Sequence, residues 1–137
     1  MKQFPDAAHL ASWAGVCPGS WESAGKRKSG RTRKGNAWLR RHLCQSAWGV
    51  STKQNNYLSA LFRRLAARRG VKRATIAVAH TLLVIVYHVL QRPLEYHELG
   101  PDYFDKLNPE RSKRKLVQRL EALGFRVTLE AAAPQPA

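Results

Sequence analysis

A mainly α-helical fold, a small bundle carrying a basic glycine-rich loop, is predicted by three features of this 137-residue chain. Apolar residues recur at helical spacing in four segments after residue 35, each bounded by a capping or stopping residue. Glycines and prolines gather between residues 15 and 35, where a loop with room for a short hairpin is expected instead of a helix. An apolar content of 44% at this length suits one modest core and argues against disorder throughout.

The elements follow in order. Residues 6–14, "DAAHLASWA", read as a short helix that Asp6 caps and Gly15 ends. Residues 16–35 hold Pro18, Gly19, Gly25, Gly30 and Gly35, which is loop chemistry. Asn36 offers a cap for a helix to about Val50, with Leu39, Leu43, Ala47 and Val50 on one face and Arg40 and Arg41 off it. A helix over Asn55–Arg69 carries Tyr57, Leu58, Leu61, Phe62 and Leu65 as its core stripe, and Gly70 stops it. The next, about Val71 to Gln91, is apolar nearly all round and belongs at the centre of a bundle, with Pro93 ending it. Its apolar run, Ala74–Leu90, is broken by Thr75, His80, Thr81 and His88. That run is shorter than the ~20 residues of a typical membrane span, so a buried helix is expected and a membrane is not. Residues 94–109 are acidic, aromatic and rich in turn signals. A last helix starts at Pro109 or Glu110, carries Leu116, Val117, Leu120 and Leu123 as a stripe, and stops at Gly124. "FRVTL", residues 125–129, reads as a short strand or extended tail, and "EAAAPQPA" as disordered. The expected organisation is a core over 1–91, a C-terminal extension over 92–129 and a tail over 130–137.

The formal charge of +15 is distributed very unevenly. Residues 1–73 carry 16 Lys and Arg against only Asp6 and Glu22, whereas residues 74–137 are nearly balanced, with eight against seven. Solubility alone does not require that asymmetry. A polyanionic partner uses it, because each neutralised phosphate releases counterions. Nucleic acid is therefore the expected partner, against the plainer alternative of a solvated basic face. Arg63, Arg64, Arg68 and Arg69 gather late in their helix, where the helix dipole favours cations and phosphates could equally be held. Cys17 and Cys44 form no CxxC pair and the histidines show no zinc spacing, so two thiols in a reducing cytosol are expected. His80 and His88 read as core or boundary residues. The N-terminus lacks the apolar stretch of a signal peptide.

Ser23 to Arg41 contains eight cations, Lys26, Arg27, Lys28, Arg31, Arg33, Lys34, Arg40 and Arg41, and no carboxylate. Glycines let backbone N–H groups approach a phosphate. Arginine forks match phosphate oxygens, and the capped helix start that follows also attracts anions. These features predict a phosphate-binding loop. Catalysis asks for more: a serine needs a base, a metal or strong transition-state electrostatics. The cations could supply the last, but no His or carboxylate lies in the loop after Ser23. By residue chemistry alone Ser23 defaults to a loop serine bonded to nearby backbone.

The ordered pattern Gly15, Pro18, Ser23-Ala24-Gly25-Lys26, Gly30, Gly35-Asn36 and Leu39-Arg40-Arg41 resembles the C-terminal domain of DEDD-type insertion-sequence transposases that use a serine, a family known for guidance by a bridge RNA. The later "ATIAVAHTLLVIVYHVL" and "DYFDKLNPERSKRKLVQRLEALGF" resemble the same family's tail, so the likeness covers most of residues 4–129. It implies DNA transposition by cleavage and rejoining through a covalent phosphoserine, with Ser23 as the nucleophile and Ser29 as the competing position. Lys26, Arg27, Arg31 and Arg33 would then hold the scissile phosphate or its neighbours, and Arg40 and Arg41 would brace the backbone. Ala24 departs from a common glycine. The larger departure is that nothing here matches the family's N-terminal RNase-H-like half with its four metal-binding acids. The resemblance thus implies a fragment, incomplete or inactive alone, with no cofactor in this chain and Mg²⁺ only in the absent half. It also implies DNA as partner, a guide RNA and a full-length transposase as further candidates, and a bacterial cytoplasmic, nucleoid-associated location. A non-catalytic nucleic-acid-binding module is the competing reading.

Overall fold

The computed structural model describes residues 3–19, 21–92 and 95–130, with backbone alone at Arg27. The expected helix stop at Pro93 and the tail beyond Glu130 lie outside the described residues. Among those described, six helices and one two-stranded sheet form, so the fold is mainly α as the periodicity predicts. The order is α1 (Ala7–Trp13), β1 (Trp21–Ser23), β2 (Lys26–Ser29), α2 (Ala37–Thr52), α3 (Tyr57–Arg69), α4 (Val71–Gln91), α5 (Tyr103–Leu107) and α6 (Pro109–Ala122). The chain forms two compact units, Met1–Asp102 and Tyr103–Ala137.

In the first unit, side-chain caps begin the helices where Asp and Asn stand in the sequence. Asp6 Oδ1 accepts from the His9 N–H at 2.8 Å, Asn36 Oδ1 from Leu39 at 2.9 Å and Asn56 Oδ1 from Ser59 at 2.7 Å. Each satisfies an N–H that the helix leaves without a partner. The α3–α4 junction is Gly70 at φ +84°, a left-handed conformation that suits glycine.

Helix α4 is the centre, with α1, α2 and α3 packed on it. Its Ala74 is buried, and its Val78, Ala79, Leu83 and Tyr87 form one buried cluster with Leu10, Ala11, Ala14 and Val16 from the N-terminal segment, Leu43 and Ala47 from α2, and Leu58 from α3. Each fully buried large side chain stabilises the fold by roughly 1.5–3 kcal/mol relative to exposure. The Tyr87 hydroxyl donates to the Phe4 carbonyl at 3.1 Å, so the chain entering α1 is tied to the central helix. The whole helix is 21 residues long, longer than the Ala74–Leu90 run, and by length and composition it could cross a membrane.

Ser59 is a core residue that the apolar pattern did not predict: it is fully buried, and its hydroxyl donates to the Asn56 carbonyl at 2.9 Å. In the second unit, α5 arises within a segment that the sequence presents only as turn-rich. Its Asp105 accepts from the Ser112 hydroxyl at 2.9 Å, which joins α5 to α6. Helix α6 starts as expected, with Asn108 accepting from the Arg111 N–H at 3.1 Å and Pro109 in the first turn. Its Leu116, Leu120 and Leu123 are exposed. Residues 125–129 pair with no strand among the described residues, so the extended-tail alternative applies there.

Candidate nucleic-acid interface

The basic loop is a β-hairpin. Ser23 pairs with Lys26 and Glu22 with Arg27, and a bulge displaces the next pair to Trp21 and Ser29. The two turn residues, Ala24 and Gly25, have φ +51° and +72°, the signature of the turn whose twist matches a hairpin. Gly25 holds that conformation without penalty, and Ala24 holds it at some steric cost. A further bridge joins Pro18 to Thr32, and the Gly19 N–H donates to the Arg31 carbonyl at 3.0 Å.

Backbone contacts clamp the hairpin to the helices. A Cβ on Gly35 would lie 2.3 Å from Gly15 N and 2.5 Å from Ala14 C, and one on Gly19 would lie 2.5 Å from the Arg31 oxygen. The Asn36 N–H donates to the Trp13 carbonyl at 3.3 Å across the same junction. Gly15, Gly19 and Gly35 are therefore required where two stretches of protein backbone meet. The α1 C-terminus and the α2 N-terminus close the loop at its base, and its tip projects.

The predicted site residues are spread from the hairpin tip to the start of α2. Ser23 and Lys26 face each other beside the turn, and both are exposed. Among the described residues no hydrogen bond reaches Ser23 Oγ, and no histidine or carboxylate pairs with it. Arg31 and Arg33 lie nearer the base, where together with Ser29, Thr32, Gly19 and Trp21 they line an open groove of about 440 Å³. The competing serine, Ser29, accepts from the Arg31 N–H at 3.2 Å through its hydroxyl. Lys28 is exposed on β2 and Lys34 just before the clamp, while Arg40 is half-buried and Arg41 exposed in the first turns of α2. Arg27 occupies the register position opposite Glu22.

A second, smaller cleft of about 170 Å³ is lined by Ser12, Cys17, Pro18, Gly19 and Arg33. At its edge Cys17 Sγ lies 3.7 Å from His80 Nδ1 on α4, and burial pushes the Cys17 thiol up, away from thiolate reactivity. Both cysteines are free. Among the described residues no group of three or more His, Cys, Asp or Glu side chains is arranged to hold a metal ion.

The residue that sequence reasoning missed is Trp21, which is 65% exposed and walls the larger groove. The available signal was its place at the head of the cationic run, five residues before Lys26.

Residues 1–63 match the model of the Transposase IS116/IS110/IS902 family. The match spans α1, the hairpin, α2 and the first half of α3, and so contains every predicted site residue. This stretch is therefore similar to an insertion-sequence transposase. No curated protein and no solved structure matches the chain.

Proposed function

We propose that this chain is part of a transposase of the IS116/IS110/IS902 type, that its hairpin binds the DNA backbone, and that Ser23 is its nucleophile position. The observation that carries the reading is the family match over residues 1–63, with the projecting basic hairpin inside it. Cations along β2 and the segment after it, with Glu22 as the one carboxylate on the hairpin, suit a phosphodiester backbone.

In the catalytic step, Ser23 Oγ would attack a backbone phosphorus and form a new P–O bond. The bond from that phosphorus to one deoxyribose oxygen breaks. A base takes the serine proton, and the departing oxygen receives a proton to become a free hydroxyl. The reverse attack by a hydroxyl rejoins the strand and releases the serine, so no external energy source is needed. Lys26, opposite Ser23 in the hairpin register, and Arg31 and Arg33 would stabilise the charge that builds on the phosphate oxygens. The base must come from another chain or from groups that move toward Ser23.

That missing base favours a second reading, in which the hairpin holds phosphates and Ser23 is chemically inert. One experiment separates the two. The chain is mixed with an intact transposase of the family and its cognate DNA, and serine-linked DNA is sought on a denaturing gel and mapped by mass spectrometry. The catalytic reading expects an adduct at Ser23 that Ser23→Ala abolishes. An undiminished adduct on this chain in that variant, or one mapped to its Ser29, overturns the assignment.

A further inference from the structure

All four tryptophans of this chain stand at the surface: Trp13 is 50% exposed, Trp21 65%, Trp38 72% and Trp48 55%. Tryptophan has more apolar area to bury than almost any other side chain, so an exposed indole is informative. Trp13 rests against Phe4 at 5.5 Å and Trp48 meets Phe62 edge-on at 6.3 Å. Trp21 has no ring partner among the described residues. It forms one wall of the open groove that Arg31 and Arg33 complete, with the hydroxyls of Ser29 and Thr32 and no carboxylate.

That combination selects among occupants. An acidic peptide would use the guanidinium groups and leave the indole idle. A paired duplex would offer phosphates to the arginines while its bases stayed stacked inside the helix. An unpaired nucleotide uses everything present: a π face for the indole, phosphates for the arginines and polar edges for the hydroxyls. We propose that this groove seats an unpaired DNA nucleotide, its base stacked on Trp21 and its flanking phosphates held by Arg31 and Arg33. The proposal rests on the nucleic-acid reading above and narrows it from a backbone contact to a locally opened strand. Trp21 and Ser23 lie two residues apart on β1, about 7 Å along the strand. A nucleotide stacked on Trp21 therefore brings its neighbouring phosphate toward Ser23.

The test uses the full chain and fluorescence anisotropy with a labelled short oligothymidylate, a duplex of the same length and an oligouridylate, across a salt series. Trp21→Ala should weaken oligothymidylate binding about tenfold and leave the salt slope and the duplex affinity nearly unchanged. Trp21→Phe should keep most of the single-strand affinity, and it serves as the readout if the alanine variant disturbs the hairpin. The proposal is overturned if Trp21→Ala binds oligothymidylate as the parent does, if single strand and duplex weaken together, or if the parent prefers oligouridylate. Arg31→Gln with Arg33→Gln separates the two levels. A shallower salt slope there, with no effect of Trp21→Ala, sinks the stacking and keeps the phosphate contacts. No salt slope in the parent sinks the underlying reading itself.

Discussion

Ser23 and Arg31 show how differently two residues of one loop depend on their surroundings. Ser23 is exposed beside a tight turn and its hydroxyl bonds to nothing described, so replacing it with alanine should not affect folding. Ser23→Ala should keep the parent's thermal midpoint within the narrow range of surface substitutions, about 0.5 kcal/mol, while losing any covalent DNA adduct. Arg31 and Arg33 are also exposed, but they are grouped around one groove. Each neutralisation should shallow the dependence of log K on log salt by roughly one unit per lost phosphate contact. The cations and both serines were legible in the sequence because charge and spacing are written there directly. The grouping was not, since only the hairpin register and its bulge separate Ser23 at the tip from Ser29 in the groove.

At the level of elements, the hairpin is held by its glycines and α3 by a carboxylate from far along the chain. Gly35→Ala would drive a Cβ into the backbone of Ala14 and Gly15, which cannot yield as a flexible side chain can. It should destabilise the first unit by roughly 1–3 kcal/mol and lower the melting temperature by several degrees, measured by circular dichroism. Gly25→Ala meets no atom within 4 Å and bears only its φ of +72°, so the loss should be smaller. Glu98 accepts from the Tyr57 N–H at 2.7 Å and from Gly100 at 3.1 Å through one oxygen, and from the Tyr96 hydroxyl at 3.0 Å through the other. Burial pushes its carboxyl up, but these donors outweigh burial and hold it below the ordinary carboxylate range. Tyr96 is pushed up to about 12, first by burial and then by that carboxylate. Because the folded value of Glu98 is depressed, its contribution is present above the unfolded carboxylate range and is lost as pH falls through the lower folded value. The protection of the Tyr57 amide against exchange, relative to an unfolded chain at the same pH, should fall on that acid side, and Glu98→Gln should abolish the pH step. Local caps and stripes made the helices readable. Glu98 was hidden because it caps α3 from 41 residues away, and α5 was hidden because five residues carry too little periodicity.

For the whole molecule, the charge asymmetry and the fold agree. Apolar residues nearly all round α4 make it the centre on which α1, α2 and α3 pack, and that core leaves the basic hairpin projecting from a closed base. Leu83→Ala, at a side chain 3% exposed on α4, should cost roughly 2–5 kcal/mol and lower the midpoint of the first unit far more than any hairpin substitution. Much of the first unit's core was legible in its hydrophobic pattern, but Ser59 is buried with its own bond, and Val86 and Leu90 on α4 and the Leu116, Leu120 and Leu123 stripe of α6 are exposed. The proposed DNA contact is placed on the hairpin and can be measured without a cognate site. Duplex affinity across a salt series, for the parent and for Arg31→Gln with Arg33→Gln, tests it most directly. The account predicts a steep linear fall of log K with log salt, roughly −0.9 per phosphate held, and a shallower line for the double variant. A flat parent line, or identical slopes in the two proteins, would contradict it.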